Sequence, residues 1–218
     1  MSIEDTRRRL LDATLAHVPF DGWTGVAMMA GARDLGLSPA EAANAFPGGP
    51  VEMIEFMSLE ADRRMLEALE REDLAALKVR ERVALGVRRR LELYARDREA
   101  IRRALAVLAL PQNGPLALRL LYRTVDAIWY AAGDTATDFN FYTKRALLAG
   151  VYGSTLLAWL DDRSPDLEES WAFLDRRIAD AMRLPQAAQR LAAPLRWLPN
   201  PVYLFRQAGR RGRDRVVR

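Results

Sequence analysis

Apolar residues along this chain recur at steps of three and four, and no segment alternates with period two between hairpin turns. Leu167, Trp171, Leu174, Ile178 and Met182 form one such stripe. Leu184, Ala188, Leu191, Leu195, Leu198, Val202 and Phe205 form another, stepping by four and three in turn. Helix starts are marked between the stripes. Ser38-Pro39-Ala40-Glu41 is a capping box with proline at the first helical position. Gly49-Pro50-Val51-Glu52, Thr135-Ala136-Thr137-Asp138 and Ser164-Pro165-Asp166 open three more helices, and Gly133 marks a stop. The pattern predicts helices near 3–18, 24–33, 38–45, 50–70, 74–96, 98–109, 115–132, 137–160 and 166–183. The expected fold is all-α, about nine helices with an amphipathic segment at the C-terminal end.

Composition narrows the chemistry. The chain has 218 residues, half of them apolar, and no cysteine, so disulfides and thiol catalysis are excluded. His17 is the only histidine, and no Glu-x-x-His motif exists for a di-iron bundle site. No Gly-rich phosphate loop is present. We therefore expect no catalytic residue, no metal ligand and no cofactor. Asp134, Asp138, Asp161, Asp162 and Asp166 cluster at helix starts, where capping explains them better than paired carboxylate chemistry. Gly150 and Gly153 sit inside an apolar helix and allow either close helix approach or room for a ligand. The longest uncharged runs, Ala104–Leu118 and Ala146–Leu160, have 15 residues each. Both fall short of the ~20 that span a bilayer. The charged N-terminus has no apolar signal region, which gives the expectation of a cytoplasmic protein.

Charge is unevenly spread. The net charge of +4 combines a body at −4 with a tail at +8, for residues 183–218 carry nine arginines against one acid, Asp214. Such a tail suits an anionic surface, nucleic acid or lipid headgroups.

The first 65 residues run TRRRLLDATLAHVPFDGW, then RDLGLSPAEAANAFPGG, then a longer apolar helix. They resemble the headpiece of TetR-type regulators, in which the second helix of a helix-turn-helix contacts DNA. Here that helix, SPAEAANAF, has no lysine or arginine and carries Glu41. Base readout and phosphate neutralisation rely on basic and amide side chains. A vestigial headpiece is therefore expected, and nucleic acid is not an expected partner. A TetR-type DNA-binding regulator with a hydrophobic effector stands as the alternative.

Residues 126–182 contain W-x-x-A-G-D, TDFNFYTKR, a Y-x-x-T inside an apolar helix, and DRSPDLEESWAFLDRRIAD. This block closely resembles the ubiquinone-biosynthesis lipid-binding accessory family, the ninth of the Coq proteins. The resemblance implies a TetR-like helical fold, a homodimer and no enzymatic activity. It implies an isoprenoid lipid or quinone intermediate bound in an apolar pocket, whose lining residues the sequence does not name. It also implies that a di-iron demethoxyubiquinone hydroxylase is the partner. The family's partner-binding patch maps onto Ile128, Phe141, Tyr142 and Arg145. Phe141 stands where relatives often carry tryptophan. Read from the residues alone, Phe141 and Tyr142 could equally be core, with Arg145 paired to an acid such as Asp138.

The tail completes the reading. Leu191, Leu195, Leu198, Val202 and Phe205 supply its apolar face, with Arg196, Trp197, Tyr203 and Arg206 beside it. Basic residues with Trp and Tyr on an amphipathic segment suit a membrane interface. Pro194, Pro199 and Pro201 would divide the segment. The expected organisation is a headpiece over 1–48, a lipid-binding body over 49–184 and a membrane-associating tail over 185–218. The protein is expected to be peripheral on the inner membrane of a bacterium.

Overall fold

The computed structural model describes residues 2–134 and 139–192, with side chains described for residues 2–134 and 142–183. Among these residues there are ten α-helices and no strand. They are α1 (Ile3–Leu15), α2 (Val18–Asp21), α3 (Gly25–Asp34), α4 (Pro39–Ala45), α5 (Gly49–Leu69), α6 (Val79–Glu92), α7 (Arg98–Leu108), α8 (Gly114–Ala131), α9 (Phe139–Asp161) and α10 (Glu168–Ala192). Contacts group residues 1–178 into one compact unit and 179–218 into a second, the boundary falling within α10. Among the described residues no single helix is long and apolar enough to cross a membrane.

The predicted starts at Ser38 and Gly49 hold. The Ser38 hydroxyl accepts from the Glu41 N–H, and the Glu41 carboxylate accepts from the Ser38 N–H at 2.8 Å. Two expected long helices are broken. The helix expected over 3–18 stops at Leu15, because Pro19 has no N–H to donate to the Leu15 carbonyl, and Pro19 instead lies in the first turn of α2. The helix expected over 74–96 splits into a 3₁₀ turn at Leu74–Ala76 and α6, with Leu77 and Lys78 extended between them. The Lys78 N–H donates to the Glu81 carboxylate at 2.9 Å, so the start is capped from within the helix although position 78 is a poor capping residue.

Headpiece and body belong to the same compact unit. α1 and α3 pack tightly, and Phe46, after α4, is buried beneath Phe56 of α5 with ring centroids 5.6 Å apart. The Arg7 guanidinium from α1 lies 4.6 Å from one ring centroid and 4.7 Å from the other, and pairs with Glu52 at 2.8 Å. Cation–π contact and the ion pair thus staple the headpiece to the first body helix.

In the body, α5, α6, α8 and α9 pack on one another with α7 across them. Gly86 permits the approach of α6 to α8, since a Cβ there would stand 3.1 Å from the Ile128 side chain. α7 also closes the C-terminal end of α9. Arg98 donates to the carbonyls of Trp159 and Asp162, and Arg102 donates to that of Leu160 at 2.8 Å. These arginines satisfy carbonyls that a helix end leaves unpaired.

The turn from α9 to α10 departs from the predicted helix over 166–183. Asp166 and Leu167 adopt left-handed backbone, φ +49° and +61°, so the α-helix begins at Glu168. Asp162 organises this turn: one carboxylate oxygen accepts from the Ser164 N–H and hydroxyl, the other from the Ser170 N–H and hydroxyl. Of the expected α10 stripe, Trp171 and Leu174 are buried and Met182 is exposed. Burial would raise the Asp162 pKa, but the hydrogen bonds from Ser164 and Ser170 outweigh it and hold the carboxyl at about 2. A carboxyl held below its ordinary 3.8 adds stability above that value and loses it as pH falls toward 2. Asp162→Asn is expected to lower the denaturant midpoint at pH 7 and to make the loss of stability in acid shallower, as measured by urea titration across that range.

Candidate functional site

A cavity of about 410 Å³ lies in the body of the first unit. A space of this size is in the range that takes small-molecule ligands. α7 contributes Ile101, Ala104, Leu105 and Leu108, and α8 contributes Ala117, Leu120, Leu121 and Thr124. Each set has the i, i+3, i+4, i+7 spacing of a single helix face. Ile54, Met57 and Ser58 come from α5, and Arg90 and Leu91 from α6, with Tyr94 just beyond. Tyr152, Gly153, Leu156, Leu157 and Trp159 come from α9. A Cβ at Gly153 would meet nothing within 4 Å, so this glycine leaves room on the cavity side. Leu157 is 61% exposed and marks an open edge, whereas Ile54, Met57 and Thr124 are buried.

The wall is apolar except around one buried network. Arg90 Nε donates to Asp62 Oδ1 at 2.8 Å, and one terminal nitrogen donates to the Ser58 carbonyl and hydroxyl oxygens, both at 3.2 Å. The Thr124 hydroxyl donates to the same Asp62 oxygen at 2.9 Å. Tyr94 adds a bond from its hydroxyl to the Met57 carbonyl at 3.2 Å. Burial pushes the Tyr94 hydroxyl up to about 12, so it stays protonated. The network ties α5, α6 and α8 together on one side of the cavity. Thr155 Oγ1 and Trp159 Nε1, on α9, are buried with no partner among the described residues.

The four residues of the expected partner patch are placed differently from one another. Ile128 is 1% exposed, against Gly86. Arg145 is also buried, pairing with Asp126 at 2.6 Å and Asp134 at 3.3 Å. Tyr142 is 69% exposed. Asp138 and the Phe141 side chain lie outside the described residues. Asp134, expected as a cap, also holds Lys144 at 2.7 Å. Tyr130, which the sequence reading did not single out, is 77% exposed near the end of α8. Of the expected tail residues, Leu191 lies on α10, with its side chain outside the described residues. Leu195, Arg196, Trp197, Leu198, Val202, Tyr203, Phe205 and Arg206 lie wholly outside them. His17, the only histidine, pairs with Asp34 at 2.5 Å. Among the described residues no group of three His, Cys, Asp or Glu could hold a metal ion.

The helix order and the cavity between body helices define a TetR-like helical bundle. The crystal structure of a TetR transcriptional regulator from Nitrosomonas europaea is similar, with a TM-score of 0.70 over 82% of this chain and 98% of that one. At 22% identity this likeness speaks for the fold alone. The COQ9 family profile matches residues 114–185. The chain is 40% identical over 202 residues to the mitochondrial ubiquinone biosynthesis protein COQ9 of Rattus norvegicus, covering 87% of this chain and 63% of that protein. It is 37% identical to COQ9-B of Xenopus laevis, covering 88% of this chain and 68% of that protein. The chain belongs to the COQ9 family. It spans a little under two thirds of the length of the rat relative.

The Asp62–Arg90 pair gives a direct test of the cavity frame. Removing one member of a buried ion pair leaves an uncompensated charge and costs about 3–5 kcal/mol, whereas replacing both with apolar residues is often near neutral. Arg90→Met is expected to destabilise by about that amount. Arg90→Met combined with Asp62→Leu is expected to recover most of the loss, measured by urea denaturation.

Proposed function

We propose that this chain is a non-enzymatic lipid-binding protein of ubiquinone biosynthesis. It takes an isoprenoid or quinone-precursor lipid into the cavity between α5, α6, α7, α8 and α9. The observation that carries the reading is the largely apolar cavity of about 410 Å³ in a chain of the COQ9 family. Apolar burial drives such binding, at roughly 0.8 kcal/mol per methylene group removed from water. The role of the named relatives, ubiquinone biosynthesis, supplies the class of lipid.

The remaining parts follow from the same reading. The protein acts as a homodimer and presents its lipid to a di-iron demethoxyubiquinone hydroxylase. The exposed Tyr142 and Tyr130 offer aromatic surface to that partner, and the buried Arg145 ion pairs support the helix that carries Tyr142. The arginine-rich tail associates with an anionic membrane surface, each basic residue adding roughly 1 kcal/mol near the leaflet before screening. The chain then sits peripherally on the cytoplasmic face of a bacterial inner membrane.

Organic extraction of the purified protein followed by mass spectrometry tests the lipid. A prenylated lipid is expected from the unaltered chain. Gly153→Leu fills the open space beside α9 and is expected to abolish recovery of that lipid while leaving the melting temperature equal or higher. Recovery of no lipid from the unaltered chain contradicts the proposal. For the tail, removal of residues 185–218 is expected to abolish co-sedimentation with vesicles containing anionic phospholipid. Undiminished sedimentation would move the membrane contact elsewhere.

A further inference from the structure

The polar part of the cavity wall has a specific electrical character. The Arg90 charge is already met by Asp62 at 2.8 Å, and Thr124 donates to the same carboxylate. A ligand therefore encounters hydrogen-bond donors with little net charge. One Arg90 terminal nitrogen is bound to Ser58, and the other has no partner among the described residues. The Tyr152 hydroxyl also has no partner among them, although the residue is only 7% exposed. Burial pushes the pKa of this hydroxyl up against the pull of Arg90, so Tyr152 is a neutral donor at physiological pH. Both residues line the cavity, so these donors are left to be met from the cavity itself, and a site that offers them discriminates against ligands that cannot accept.

Burial also sets a direction. Arg90, Thr124 and Tyr152 are each at most 7% exposed, whereas Leu157, also on the cavity wall, is 61% exposed. The donors are deep and the open edge is apolar. Three ligand chemistries compete for such a space. A pure hydrocarbon leaves the donors unpaired. A carboxylate brings a charge that Asp62 repels and that Arg90, already neutralised, compensates poorly. A neutral oxygen acceptor satisfies the donors without adding charge.

On the reading of this cavity as a lipid site, we infer that Tyr152 and Arg90 form a subsite for a neutral oxygen acceptor of the lipid. A ring carbonyl, methoxy or phenolic oxygen fits that description. The apolar tail of the ligand then runs along α7 and α8 toward the edge at Leu157. Ser58 and Asp62 act by holding the Arg90 guanidinium in place.

The test uses the full chain stripped of lipid, with N-phenyl-1-naphthylamine as a fluorescent reporter of the cavity. Three competitors of similar tail length are compared: a decyl-substituted dimethoxybenzoquinone, decylbenzene and dodecanoate. The quinone is expected to displace the reporter at a concentration at least tenfold lower than either of the others. Tyr152→Phe, which removes one oxygen and keeps the ring, is expected to weaken the quinone roughly threefold to tenfold and leave decylbenzene unchanged. Equal displacement by quinone and decylbenzene overturns the acceptor subsite and leaves the lipid cavity standing. Tightest binding by dodecanoate overturns the argument from charge. Failure of the reporter and all three competitors to bind overturns the lipid reading together with the subsite. The competitor series on the unaltered protein decides even if the variant misfolds.

Discussion

The Asp62–Arg90 pair, joined by Thr124 and Ser58, is the constraint on which the body depends. Helices α5, α6 and α8 must stand apart far enough to leave a cavity, yet stay in register. Apolar contact favours collapse, because unfilled apolar space costs roughly 24 cal/mol for each Å³. A buried ion pair is a poor source of net stability, but its geometry is demanding. With one aspartate oxygen accepting from both Arg90 and Thr124, and with Ser58 taking a terminal nitrogen, the three helices have few alternative packings. The network that holds the cavity open is also what gives its wall polar character.

The second organising contact is the staple between headpiece and body. Arg7 lies against the rings of Phe46 and Phe56 and pairs with Glu52. A regulator headpiece works by presenting basic residues to phosphate. Here a basic residue of α1 is turned inward to aromatic rings, and Glu41 of α4 is consumed by its own capping box. The helix that would read bases carries no positive side chain at all. The TetR-like bundle is retained while its inner surfaces serve packing and a cavity.

Much of this fold was legible in the sequence because its helix starts are written locally. Ser38 and Glu41 carry a start within four residues, and the stripe through Trp171 and Leu174 shows its buried face directly. The breaks at Pro19 and Lys78 were less visible. The apolar pattern continues up to residue 18 with no break before Pro19, and the cap at Lys78 comes from a glutamate inside the helix instead of a capping residue before it. The functional parts were harder still. Asp62 and Arg90 are 28 positions apart, and His17 and Asp34 are 17 apart, so no local spacing announces either pair. The cavity faces of α7 and α8 have regular helical spacing, but an ordinary core stripe has the same spacing. Whether such a face meets side chains or open space is decided by helices distant in the chain. Arg145 shows the same limit: the motif located it, and only the fold shows it buried between Asp126 and Asp134.

The body encloses apolar space, and the proposal gives the basic tail a separate task, attraction to an anionic surface. The claim that joins them is that the cavity is occupied by lipid. Native mass spectrometry of the intact, detergent-free protein tests it most directly. The account predicts a bound species with one lipid for each chain, released as a neutral prenylated molecule on collisional activation. A spectrum showing only the bare chain mass, unchanged after incubation with prenylated quinone in vesicles, would contradict it.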